Sequence, residues 1–389
     1  MTIDLLVGEA AAKSTESDDT LAGTLNPRHF KVSDRLAEEA STRLSAAFGN
    51  QWGADVRLAE AFSTSDFKLA AAKELDAEML AQYNELPAVW EQYTDLTTVR
   101  DFRPKRLVSR WRNTTGFARV PELTEYPADD RRGFAEYAIQ VAKYGRRFAL
   151  SWESWLNNEA VQELEDLPAE LARQARETEM IAAASNLLLV DPASALKGEA
   201  TATDVNTNFF KTANGNAPTA LPLTRDNFRG VWNGMATKKD PNSKKVIARP
   251  PMILVIPQAL EAAALDIKRP TIVRKTNGTV TTEEANEFAN LEYVVDPMLD
   301  YLNTHANAAT TWFLVPKPKS ARPALWLAKL AGHEEPDLRV KADTGRRVGG
   351  GEISALEGSF EVDDIQYRGR HIVGNQAGDA LFTYVSRGA

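Results

Sequence analysis

The 389 residues, 43% hydrophobic and 26% charged, suffice for two or three packed units of ordinary globular composition. The absence of cysteine excludes disulfides and thiolate chemistry, and no two of the four histidines (His29, His305, His333, His371) share the spacing of helix-borne metal ligands. A formal charge of −8 argues against a chain that wraps nucleic acid by neutralising phosphates, and no stretch approaches the roughly 18 apolar residues of a membrane helix.

The opening MTIDLLVGEAAAKSTESDDT carries acids where a secretory leader needs a basic start, so no leader is expected. Residues 1–32 read as a polar, flexible tail. From Ser33 the pattern turns helical, with Leu36, Ala40, Leu44 and Phe48 four apart, Ser33 or Asp34 as cap and Gly49 as stop. A second helix is expected from about Ser65 to Tyr83. Residues 96–152 then read as two long strands. Leu107, Ser109 and Trp111 share one face of the first; Tyr137, Ile139 and Val141 share one face of the second, within FAEYAIQVAKYGRRFALSW. A polar tip from about Asn113 to Gly133 joins them, and so long a hairpin needs a surface to lean on.

The clearest helix is expected over Pro168–Val190, with proline in its first turn, a stripe of Leu171, Ala175, Ala182 and Leu189, and a stop at Asp191-Pro192. From Pro192 to about Arg347 the pattern is mixed. Met252–Pro257 reads as a buried strand followed by a helix over QALEAAALDI, and Asn277-Gly278 marks a hairpin turn. LEYVVD and TTWFLVP supply further strands, and the last thirty or so residues read as strand, loop, strand. The fold class is therefore α+β.

Charge is unevenly placed. Thr98–Leu150 holds twelve Lys/Arg against six Asp/Glu, net +6, whereas Ser151–Val190 holds two Arg against eight Asp/Glu, net −6. Such blocks pair within one molecule or between copies. Catalytic patterns are missing: there is no GxSxG, GxxxxGK[ST], HExxH or GxGxxG. Gly349-Gly350-Gly351 reads as a surface loop, Asp129-Asp130 and Asp363-Asp364 as turns or solvated edges, and His371 as a surface or interface residue. Neither a cofactor nor a metal is implied, and no small-molecule ligand.

The order of arm, long hairpin, long helix, mixed body and terminal strands resembles the Hong Kong 97-type major capsid proteins of tailed phages, closest in wording to those of actinobacterial phages. The resemblance spans about residues 60–389. It is carried by TTVRDFRPKRLVSRW, by VAKYGRRFALSWESWLNNE leading into LPAELARQARETE, and by IQYRGRHIVGNQAGD. It implies an N-arm at 33–95, an E-loop hairpin at 96–152, and a P-domain at 153–191 and 352–389 with its spine helix at 168–190. An A-domain at 192–351 completes the set. It implies a structural protein of the virion, not an enzyme, assembling in the host cytoplasm as hexamers and pentamers into an icosahedral shell around double-stranded DNA that it contacts non-specifically. Portal, scaffold and decoration proteins are the further partners, and no membrane is involved. On this reading Arg103, Arg106, Arg110 and Arg112 of the hairpin face Glu163, Glu165, Asp166, Glu170 or Glu177 of a neighbouring copy. Some relatives cross-link through a lysine near the E-loop tip. The tip here has none, so no such bond is expected. An encapsulin-like shell and, more remotely, a cytosolic α/β enzyme are the competing readings.

Overall fold

The computed structural model describes residue 42 and residues 65–388, except 111–118, 127–133, 152–158, 199–200, 218–219, 242–244, 271, 278–279, 342–344, 347–351 and 354–363. The chain divides into two compact units, 1–74 and 75–389. Thr42 is helical, but the rest of the helix expected from Ser33 to Phe48 lies outside the described residues, as do Asp129-Asp130, Asp363 and the glycine run 349–351.

Helix α1 (Ser65–Glu85) closes the first unit and opens the second, where Leu75, Met79 and Tyr83, spaced four apart, are buried. A 3-10 turn at Val89–Gln92 buries Trp90 and leads into β1 (Asp95–Val99). Strands β2 (Lys105–Arg110) and β3 (Phe134–Ile139) form an antiparallel ribbon from Lys105↔Ile139 to Arg110↔Phe134. Next come β4 (Ala142–Ser151) and the long helix α2 (Glu159–Ala184). The mixed region contributes α3 (Arg225–Ala236), β5 (Met252–Ile256), α4 (Glu261–Lys268), β6 (Ile272–Asn277), β7 (Val280–Ala285), β8 (Tyr293–Val295) and α5 (Pro297–Leu302). The chain ends with β9 (Trp312–Pro316), β10 (Leu325–Leu330), β11 (Asp337–Val340), the pair β12 (Gly345–Arg346) and β13 (Glu352–Ile353), β14 (Asp364–Ala377) and β15 (Tyr384–Ser386).

Two sheets organise these elements. In the first, β14 pairs antiparallel with β4, β10 and β11, and β1 runs parallel to β10. At 14 residues β14 is about 45 Å long, enough to bind all three partners along its length. The second sheet has the order β15-β9-β5-β8. Ile253 and Val255 of β5 face one apolar core, shared with Ile181 of α2 and with Leu187 just beyond that helix. Met252, Leu254 and Ile256 face another, shared with Phe228 of α3 and Ala264 of α4. Both faces are covered, which is why MILVI reads as an unbroken apolar run.

Three expectations shift. The long helix occupies Glu159–Ala184 rather than Pro168–Val190, so Pro168 is interior and the Leu164 carbonyl loses its helical partner. The helix stops early because Leu187 and Leu188 are drawn into the core and Leu188 bridges Val205; Leu189 is left 39% exposed, off the stripe. The return strand divides into β3 and β4 at Gln140-Val141. There the backbone changes partner from β2 to β14, and Gly374 packs so tightly on Gln140 that a Cβ would overlap its carbonyl oxygen. Helix α3 is unforeseen in the sequence, since Gly230 and Gly234 blur its Phe228, Trp232, Met235 stripe.

Candidate assembly surfaces

The strongest polar feature is an internal anchor. Glu179 of α2 is fully buried and accepts hydrogen bonds from Lys329 of β10 at 2.6 Å, Arg176 at 2.8 Å and Trp90 Nε1 at 3.1 Å. His371 Nε2 of β14 lies 2.9 Å away, and the Tyr83 hydroxyl of α1 donates to the same carboxylate. Burial alone would raise the Glu179 pKa. The hydrogen bond from His371 and the Lys329 ammonium outweigh it and hold the carboxyl well below its ordinary range. Burial first, then the neighbouring Glu179 charge, pushes the Tyr83 hydroxyl far above its usual value, so it stays a neutral donor. Five elements thus meet at one carboxylate. His371, expected at a surface or interface, is 4% exposed and belongs to this anchor. The signal was present in the sequence, because Glu179 falls four residues after Ala175, inside the apolar stripe. Gly369 lets α2 approach β14: a Cβ there would lie 2.5 Å from Leu171 Cδ2.

Around this anchor lie three exposed surfaces. The first is the stem of the β2–β3 ribbon. Leu107 and Ser109 face inward, Ser109 donating to Asp379 at 3.1 Å, while Val108 faces solvent at 50% exposure. Arg322 fixes that Asp379 and also Asp240, at 3.1 and 3.2 Å. Arg103 and Arg106 are exposed, and Arg106 sits 3.7 Å from Glu136 across the ribbon, an exposed pair of little energetic weight. Arg110 lies in β2, but its side chain and all of Arg112 lie outside the described residues. The second surface is the outer face of α2, which presents Asp166, Glu170 and Glu177 to solvent. Glu163 and Glu165 are on the same helix, with side chains outside the described set. No ion pair joins the named arginines to these acids within the chain, among the described residues.

The ribbon's tip, described over residues 119–126, is the third. Its turn, closed by Thr124 N–H to the Pro121 carbonyl at 3.4 Å, puts Leu123 at φ +61°. That is the left-handed region, which costs a side-chain-bearing residue about 1–2 kcal/mol. Leu123 is also 102% exposed, and Tyr126 is 82% exposed. Elsewhere, between α2 and the strands β4 and β14, runs a groove of about 760 Å³ floored by Met79, Leu171, Ala175 and Ile181. Lys143, Arg146, Lys197 and Glu177 stand at its edges, with Arg370 already paired to Asp337. Among the described residues no group of acidic, histidine or cysteine side chains is arranged to hold a metal, and no helix is long and apolar enough to cross a membrane.

A family model described as phage capsid protein matches residues 135–386. No curated protein matches the chain. Solved structures similar to it include a capsid of an empty GTA particle, computed with C5 symmetry (13% identity, 78% of this chain and 91% of that one, TM-score 0.45). Gordonia phage Cozz is another (14% identity, 76% and 84%, TM-score 0.42). A virus-like particle from Pyrococcus furiosus is a third (10% identity, 81% and 98%, TM-score 0.41).

Proposed function

The chain belongs to the phage capsid protein family, and from that premise we propose how this structural protein of the phage shell is built and assembled. The fold is of the Hong Kong 97 type. Residues 33–95 act as the N-arm, 96–152 as the E-loop, 153–191 with 352–389 as the P-domain and 192–351 as the A-domain. Copies assemble as hexamers and pentamers into an icosahedral head that encloses double-stranded DNA without wrapping it, as the formal charge of −8 favours.

The observation that supports this most directly is the separation of surfaces on one chain. The hairpin stem exposes Arg103 and Arg106, α2 exposes Asp166, Glu170 and Glu177, and the described residues show no pairing between them in cis. A donor and an acceptor patch on each copy make a heterologous contact, which closes into rings of five or six when the rotation fits. Each exposed pair contributes only about 0–1 kcal/mol, so single encounters are reversible while many together hold a shell.

Negative-stain electron microscopy of the purified full chain, alone and with scaffold proteins encoded beside it, tests this reading. Shells, or rings of five and six, are expected. A chain that stays monomeric under both conditions overturns it.

A further inference from the structure

We propose that Asp379 is the positioning residue of the long hairpin: with Arg322 behind it, it latches the stem through Ser109 and sets the angle at which the hairpin leaves the body. The consequence for assembly rests on the shell reading above, whereas the latch itself is a property of the single chain.

The ribbon has little else to hold it. Among the described residues β2 and β3 pair only with each other, and a free two-stranded ribbon is marginal in water. At its root Ile139 and Val141 are buried with Val99, Ala328, Leu330 and Ile372. Gln140 Nε2 donates to the Phe102 carbonyl at 2.9 Å, and Lys105 Nζ to the Thr98 carbonyl at 2.7 Å. These contacts fix where the ribbon starts but leave it free to tilt. Beyond them Ser109 makes the ribbon's only hydrogen bond to the body among the described residues, its hydroxyl donating to Asp379 Oδ2 at 3.1 Å. Ser109 lies four residues past Lys105, roughly 13 Å along the strand, so the bond resists tilting with a long lever arm.

Close packing does not choose the pose on this side. A cavity of about 680 Å³ lies beside the stem, lined by Tyr137, Asn206, Asn214, Asn375 and Asp379 among others. The stem stands off the body there, and a directional bond to a charged acceptor takes the place of contact. Tyr137 feels the same carboxylate: burial, and then the Asp379 charge, push its hydroxyl up to about 12.

The acceptor is built as a fixed post. Asp379 is 4% exposed, and its Oδ1 caps its own turn by accepting the Leu381 N–H at 2.9 Å. That task needs one oxygen, which leaves Oδ2 for Ser109 and for Arg322 Nη1 at 3.1 Å. Arg322 Nη2 reaches on to the buried Asp240 at 3.2 Å. Gly378 ties the turn down from the other side. Its N–H donates to the Ala324 carbonyl at 2.7 Å, and a Cβ on it would lie 2.9 Å from Trp326 Nε1. A post held on three sides cannot follow a tilting ribbon. Through Arg322 and Asp240 the hairpin's angle is tied to the mixed region of the fold.

The cysteine-free sequence allows clean labelling. Spin labels go on Val108→Cys, on the outward face of the stem, and on Val246→Cys of the body, at positions 50% and 61% exposed. Pulsed electron resonance then reads their separation in the unassembled full chain with Ser109, Ser109→Ala or Ser109→Thr. A narrow distribution is expected with serine and with threonine, which keeps the hydroxyl, and a broad one with alanine. Unlabelled Ser109→Ala is expected to need about tenfold more protein to assemble, with its thermal midpoint unchanged, and Ser109→Thr to restore assembly. An alanine variant with the distribution of the serine protein overturns the latch. A broadened distribution with unaltered assembly overturns its role in the shell. If the wild-type chain forms no assemblies, the shell reading fails, and the distance measurement on single chains still decides the latch.

Discussion

Glu179 and Asp296 are both buried carboxylates, and their surroundings give them opposite behaviour. Glu179 is ringed by Arg176, Lys329 and His371, and its pKa is lowered. Asp296 caps α5 through Met298 N–H and accepts the Tyr93 hydroxyl at 2.6 Å; burial, with no cation beside it, raises its pKa. Glu179→Gln leaves two buried cations uncompensated and is expected to cost about 3 kcal/mol in denaturant unfolding of the unassembled chain. Asp296→Asn keeps the cap and the tyrosine bond while removing a poorly solvated charge, so it is expected to change stability by less than about 1 kcal/mol. The pH dependence follows the same signs. The contribution of Glu179 is complete above its unfolded pKa near 4.5 and is lost as pH falls below that. Asp296 acts in reverse, its cost appearing as pH climbs above 3.8. Unfolding curves of Glu179→Gln and wild type, measured downward from pH 7, are therefore expected to converge in acid.

At the scale of elements, α3 carries two glycines at positions where nothing lies within 4 Å of an added Cβ and neither φ is positive. Gly230→Ala and Gly234→Ala are each expected to raise stability by about 0.5–1 kcal/mol, read as a higher thermal midpoint, because glycine entropy in the unfolded chain is reduced without a clash. Gly369→Ala is expected to do the opposite. Its Cβ meets the Leu171 Cδ2 methyl at 2.5 Å on the seam between α2 and β14, and that buried side chain must leave its packed position to make room.

For the whole molecule, strength must come from repetition, because the exposed charges are individually weak and screened. Added salt near 1 M, where the screening length falls to about 3 Å, is expected to slow assembly of shells more than it lowers the stability of the single chain. Light scattering against salt, set beside unfolding midpoints at the same concentrations, measures both. With no lysine between Asn113 and Gly133, mature particles boiled in denaturant are expected to run as a single band. A ladder there would mean covalent joining by other residues.

Periodicity and punctuation determined much of this protein by themselves: α1 and the buried strand at Met252–Ile256, the hairpin across Asn277, and the terminal strands. These are local properties, set by which faces are apolar and where backbone freedom ends. Only the tertiary structure decided where α2 stops, because Leu187 and Leu188 answer to a core built from distant strands. The same holds for the split of β3 from β4, which depends on the register of β14 more than two hundred residues away. His371 was misplaced for that reason too, since its partners Glu179, Lys329 and Tyr83 are far from it in sequence. The buried anchor around Glu179, the exposed residues of the hairpin tip and the groove beside α2 exist only after those long-range pairings form, and no count of charges along the chain contains them.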